Sequence, residues 1–264
     1  GGTSEFGPPL GAALSMQSRI KVWYKSVGVQ RVAHAARWAV TLDGRALQTP
    51  AKSPLELPTE AMAWAVAMEW QAQGKFLQPY TMPLMKLATT SIDQVPSIRP
   101  QMASSMLRTM HTDVVALRAD AEDEPELAAK EAAAYDPLIS WLADAEGVQL
   151  NATSSLVVEQ PPAAAAAAAR VLGAADDWTL AALDSVTGSC KSFVLALALC
   201  RRRLSAREVC VAARVAEQYD AARRGRPPQI SSNLPASPHF SPAGPDLCGP
   251  LAPPLSPPIS PNPP

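Results

Sequence analysis

The residue types able to do chemistry are few. Three histidines, His34, His111 and His239, are the imidazoles available for proton transfer. None stands in the HExxH spacing that sets two rings on one helical face around zinc. Gly188-Ser189-Cys190 lacks the G-x-S-x-G frame that lifts a nucleophilic serine from a strand-to-helix turn, and small residues there suit close helix packing. Gly74-Lys75 has neither the upstream glycine nor the following Ser/Thr of a phosphate-cradling loop. Asp120, Glu122, Asp123 and Glu124 crowd together, but without the turn glycine and closing glutamate of a calcium loop they read as a solvated loop ahead of a helix. Cys190, Cys200, Cys210 and Cys248 contain no CxxC pair and no nearby histidine, so reduced, packed thiols are expected. This inventory predicts no catalytic constellation, no metal and no cofactor.

One polar cluster interrupts an apolar run: LDGRALQTP, from Leu42 to Pro50. Trp38, Val40 and Leu42 alternate with Ala39, Thr41 and Asp43 at strand period, and Asp-Gly is a favoured two-residue hairpin turn. Asp43-Gly44 is therefore expected to turn the chain, with Leu47 and Thr49 continuing the returning strand. A binding role for the same acid and base is the alternative.

The elements that must position everything else change period after Pro58. Thr59 is a plausible N-cap, and Ala61, Ala65, Met68 and Ala72 fall on one helical stripe with Met62 and Val66 beside it, ending at Gly74. This helix, carrying Trp64 and Trp70 as core and boundary residues, should lie on the sheet. A second short helix follows in MPLMKLATTSID. Further on the pattern is helical: Met102, Met106 and Met110 recur every fourth residue, Asp136-Pro137 reads as a cap and first-turn proline, and Gly147 as a stop. Ala163 to Ala169 is strongly helix-forming. One very apolar helix is expected between Asp176 and Arg203, interrupted by Gly188, with Arg201 to Arg203 at the negative end of its dipole. Ser205 and Glu208 form the S-x-x-E capping box of a last helix, SAREVCVAARVAEQYDAARRG. The fold class is thus α+β: an N-terminal two-layer α+β domain over 21–105 and a C-terminal orthogonal helical bundle over 106–225.

Charge and composition exclude several partners. The chain has 264 residues, 47% of them hydrophobic, enough for one large core or two modest ones, and its net charge of -1 gives no long-range attraction to nucleic acid or an anionic membrane. The longest apolar run, Phe193 to Cys200, falls well short of the roughly 20 residues that span a bilayer. From Arg226 to Pro264 stand 14 of the 27 prolines, so 226–264 is expected to be a disordered Pro-rich tail. Residues 1–20 are Gly/Pro/Ser-rich, expected to be disordered, and compatible with a transit-peptide remnant.

Six stretches occur in one order: WAVTLDGRALQTP, LELPTEAMAWAVAMEWQAQG, YTMPLMKLATTSID, TDVVALRA, YDPLISWL and VAEQYDAARRG. Together they resemble the assembly chaperones of the mitochondrial ATP synthase catalytic sector, the family that handles the alpha subunit. The likeness runs from Lys21 to Gly225, beginning at Val22-Trp23-Tyr24. It implies a non-catalytic protein of the mitochondrial matrix, monomeric when free, that covers the free alpha subunit until the beta subunit takes over the same surface. An unassembled ring subunit exposes surface like a cut-open core, and a reversible partner there suppresses self-association. The contrasting expectation is a small-molecule enzyme with an unrecognised site, which would carry a tightly bound metabolite.

The resemblance also points to partner-binding residues. In that family an acid in the last helix, within an E-x-aromatic pattern, is associated with function; Glu217 matches it here, with Tyr219 as the aromatic. A plain pairing of Glu217 with Arg214 or Arg223 is the alternative. Asp113 and Arg118, in TDVVALRA, match as well, with an internal ion pair holding the bundle as their expected role. After this helix the family pattern continues with glutamine, a Trp-Gly pair and a further helical segment. This chain has Asp220, Arg224-Gly225 and prolines, a departure expected to reflect an unspliced intron or frame error, with replacement of the segment in this lineage as the alternative, and to leave an apolar strip uncovered.

Overall fold

A computed structural model describes residues 20–155 and 158–225. The expectations for residues 1–19 and for the tail 226–264 lie outside the described residues.

Asp43 and Gly44 both have positive φ, 49° and 79°, as the two central positions of a type I′ turn require. They join β2 (Trp38–Leu42) to β3 (Arg45–Ala46), as the Asp-Gly pair predicts. The Asp43 carboxylate accepts the N–H groups of Ser26 at 2.8 Å and Lys25 at 3.0 Å, and the Ser26 hydroxyl at 3.0 Å. These bonds, those of the Ser26 and Lys25 backbone foremost, hold its carboxyl below the usual range. The acid of LDGR is thus occupied within the chain, clamping the entry to β1 (Val27–Arg31) onto the hairpin. Replacing Asp43 with Ala is expected to lower the Tm, and Asp43→Asn, which keeps one acceptor oxygen, to lower it less; identical melts for all three proteins would contradict the clamp.

β2 is the central strand, antiparallel to β1 from Val27↔Leu42 to Arg31↔Trp38, to β3, and near its start to β4 (Glu56–Leu57). Neighbours on both sides shade even Ala39 and Thr41, so β2 is buried from Ala39 to Leu42 and its alternation does not appear as exposure. The returning strand is shorter than expected, ending at Ala46, although the Leu47 N–H still donates to the Val40 carbonyl at 2.8 Å.

Helix α1 (Glu60–Gln71) starts where Thr59 predicts, the threonine hydroxyl accepting from the Met62 N–H at 3.2 Å. Its buried face carries Ala63, Val66, Ala67 and Trp70 rather than the Ala61-Ala65-Met68-Ala72 stripe. On a helix apolar nearly all round, composition alone does not set the rotation: of its two indoles Trp70 is buried and Trp64 is left 48% exposed. This face packs on Val40, Leu42, Leu55 and Leu57 to make the first core.

Helix α2 (Pro83–Thr89) passes through one wide turn, Thr90–Gln94, into α3 (Val95–Thr109). Val95, Met102 and Met106 of α3, with Met110, belong to the second core, so the expected domain division at residue 105 falls inside a helix of that core.

Helix α4 (Pro125–Glu146) corrects the expectation for Asp136-Pro137. Its first-turn proline is Pro125, and Pro137 lies in its interior, where it costs a backbone hydrogen bond. The helix continues because Leu127 and Tyr135 before the proline, and Leu138 and Leu142 after it, bury on one face. Gly147, at φ 68°, stops it as expected.

Helix α5 (Pro162–Ala174) is the alanine-rich one. The single helix expected from 176 to 203 is two, α6 (Asp177–Cys190) and α7 (Phe193–Cys200). Gly188 stays helical; the break comes at Lys191, φ 54°, because the Ser192 hydroxyl caps α7 by accepting the Leu195 N–H at 3.0 Å. The last expected helix also divides, into α8 (Ala206–Ala212), opened by the Ser205/Glu208 capping box, and α9 (Val215–Arg223). The Tyr135 hydroxyl, 2.8 Å from the Ala212 carbonyl, takes the acceptor a continuing helix would use.

Candidate functional site

Of the four residues singled out by the sequence, Glu217 is exposed, Tyr219 and Arg118 are half-buried, and Asp113 is buried. Glu217 and Tyr219 lie on α9, none of whose residues is buried. The Glu217 side chain is 77% exposed, with its carboxylate 3.9 Å from the Arg214 guanidinium one turn back. Arg223, the other expected partner of Glu217, instead meets Glu124 at 3.3 Å. Tyr219 faces the start of α4: its hydroxyl is 3.5 Å from a Glu126 oxygen, and the Lys130 ammonium stands 5.2 Å from its ring centre. Val215, packed against the second core, and the polar and cation–π contacts of the half-buried Tyr219 hold α9 along α4, and they leave Glu217 exposed.

Asp113 and Arg118 require correction. They do not pair with each other, and Asp113, fully buried, is a support inside the bundle rather than a contact surface. Its two oxygens accept the Val115 N–H at 3.0 Å and the Val194 N–H at 3.2 Å, and the Ser192 hydroxyl and Phe193 N–H also bond to it. Burial pushes its carboxyl up to about 6 in spite of those hydrogen bonds. It thereby fastens the segment after α3 to the first turn of α7, residues some eighty apart in sequence, which no local pattern displays.

Arg118 reaches the other way. Its guanidinium donates to the Glu131 carbonyl at 2.9 Å and to Asp136 at 2.8 Å, and lies 4.8 Å from the Tyr135 ring centre. Its side chain is only 12% exposed, and burial lowers its pKa against the pull of Asp136 and Glu131. The ion pair expected to hold the bundle exists, but between Arg118 and Asp136.

Surface that the sequence did not single out lies on the first layer. Trp64 and Met68, one turn apart on α1, are 48% and 49% exposed; Trp23 and Tyr80 are more exposed still. The available signal was that α1 is apolar on more sides than one sheet can cover.

A concavity of about 340 Å³ on α3 is lined by Pro100, Gln101, Ser104 and Arg108, which gives Ser104 an arginine neighbour but no base. Among the described residues no three His, Cys, Asp or Glu side chains converge as metal ligands, and no helix is long and apolar enough to cross a membrane.

The backbone arrangement matches that of a solved protein. Atp12 from Paracoccus denitrificans superposes with a TM-score of 0.70 at 35% sequence identity, over 78% of this chain and 88% of that one. The chain belongs to the ATP12 chaperone family. The family profile described as ATP12 chaperone protein matches residues 21–143, the sheet layer and the helices as far as most of α4. A variant of the same bacterial Atp12, with lysine in place of one aspartate, superposes at 0.71, also at 35% identity, over 78% of this chain and 87% of that one. The mitochondrial protein atp12 of the fission yeast Schizosaccharomyces pombe is 23% identical over 197 residues, 70% of this chain and 68% of that protein. ATP12-family proteins are assembly chaperones of the ATP synthase, and the α+β layer joined to a helical bundle described above is the ATP12 architecture.

Proposed function

We propose that this protein binds the free alpha subunit of the ATP synthase catalytic sector in the mitochondrial matrix, keeps it from aggregating, and yields it to the beta subunit without catalysing any reaction. The observation that carries the reading is Glu217: an acid on α9, the last described helix, none of whose residues is fully buried, with its carboxylate largely exposed. A partner can engage such a group without disturbing either core, and can later be displaced by a contact that buries more surface. Membership in a family of assembly chaperones supports the same reading. The free protein acts as a monomer, and its binding surface includes α9.

The test is capture from mitochondrial matrix followed by an aggregation assay. Wild-type protein is expected to retain the alpha subunit and little beta subunit, and to hold purified alpha subunit in solution. Glu217→Lys is expected to lose most of that holding activity while its Tm stays within about 1 °C, because a solvent-facing substitution leaves the folded state little changed. Holding activity at the wild-type level would remove Glu217 from the binding surface, and capture of neither subunit would end the reading.

A further inference from the structure

Strand β1 closes one side of the sheet, and among the described residues nothing pairs with its outer edge. In the β1–β2 ladder the Asp43 N–H donates to the Ser26 carbonyl and the Val32 N–H to the Arg37 carbonyl, both at 2.9 Å. Together with the register Val27↔Leu42 to Arg31↔Trp38, these bonds make the even-numbered residues of β1 the ones that pair with β2. The N–H and C=O groups of Val27, Val29 and Arg31 therefore point away from the sheet. Among the described residues no group pairs with them.

The charge around this edge is one-sided. Residues 20–42 contain Lys21, Lys25, Arg31 and Arg37 and no acid, in a chain whose Lys+Arg and Asp+Glu totals are 23 and 24. The acid of the neighbouring turn, Asp43, is already engaged by Ser26 and Lys25. Arg31 and Arg37 are exposed and make no ion pair among the described residues.

Two occupants fit an open edge: another copy of the same strand, or an extended segment of a different protein. Antiparallel pairing of β1 with itself about Val29 sets Arg31 of each copy diagonal to Lys25 of the other, and parallel pairing stacks Arg31 on Arg31. Like charges so placed oppose the dimer. A foreign segment with acids at its ends meets cations at both ends of β1 and supplies the backbone partners that Val27, Val29 and Arg31 lack.

We propose that β1 binds an extended, acid-flanked segment of the client subunit as an added strand. This rests on the chaperone reading above and assigns it a second contact, on the sheet layer, separate from Glu217. Backbone pairing supplies affinity with little demand on client sequence, and the cations set orientation.

Val29→Pro tests it, because proline is tolerated on an edge strand where the lost N–H faces outward. The measurement is affinity for purified alpha subunit, together with amide exchange of the wild-type complex. Wild type is expected to show the Val27, Val29 and Arg31 amides slowing on binding, and Val29→Pro to bind about tenfold more weakly, one donor being lost and a ring projecting into the added strand. The double variant Arg31→Glu/Arg37→Glu leaves the strand backbone unchanged and is expected to weaken binding in low salt, with the difference shrinking as salt rises. It decides the matter should the proline variant not fold. Wild-type affinity in either folded variant, or unslowed amides at saturation, overturns the edge contact while leaving the chaperone reading intact. Slowed amides without client, accompanied by dimerisation, would identify a second copy as the occupant and overturn it also. If wild type binds no alpha subunit, both proposals fall.

Discussion

Asp113→Ala should destabilise the protein by about 3 to 5 kcal/mol, because it strips an acceptor from several buried donors at once and leaves a small void beside them. The Val115 and Val194 N–H groups and the Ser192 hydroxyl would all lose their partner at a fully buried position. Asp113→Asn should cost less, since one oxygen still accepts while its amide opposes other donors. The pH dependence separates charge from shape. The carboxyl sits near 6 in the folded protein against 3.8 as the ordinary value, so between those limits the folded state holds a proton that the unfolded chain has released. Its contribution to stability is therefore present at the acid end of that window and lost as pH rises through about 6. Chemical denaturation of wild type and Asp113→Asn across pH 4 to 7 should give a difference between them that changes with pH in this direction. A constant difference would show that the acid is not held protonated at the low end.

Phe193→Ala should cost about 3 to 5 kcal/mol, a large share of the 5 to 15 kcal/mol that holds a typical domain. The ring is fully buried at the first position of α7, in the core that also takes Met106, Leu142, Leu180 and Leu195. Truncation there leaves a cavity between helices whose backbones are held by Asp113 and Ser192, so little collapse can fill it. Leu57→Ala, fully buried in the other core, should cost about 2 to 5 kcal/mol. Trp178, from α6 of the helical part, packs against that first core. Both variants are accordingly expected to shift one shared denaturation midpoint with the slope unchanged. Two separated transitions in either variant would mean the cores unfold independently.

The sequence by itself determined the features whose cause lies within a few residues. Asp43-Gly44 had to turn, since two consecutive positive φ angles suit that pair. Thr59 and the Ser205/Glu208 box had to open helices, because a short oxygen-bearing side chain and an N3 glutamate reach orphan N–H groups locally. The ordered series of motifs carried the family resemblance. Only the tertiary structure decided where helices stop or persist against local preference: through Pro137, at Lys191 and at Arg214. In each case a partner distant in sequence settles it, the shared apolar face of α4, the Asp113 anchor at α7, or the Tyr135 hydroxyl on Ala212. It decided also which face of α1 is buried, that Asp113 is buried while Glu217 is exposed, and that Arg118 pairs with Asp136. Hydrogen bonds and buried area between remote segments leave no period in the chain, so their outcome becomes visible only once the segments are packed together.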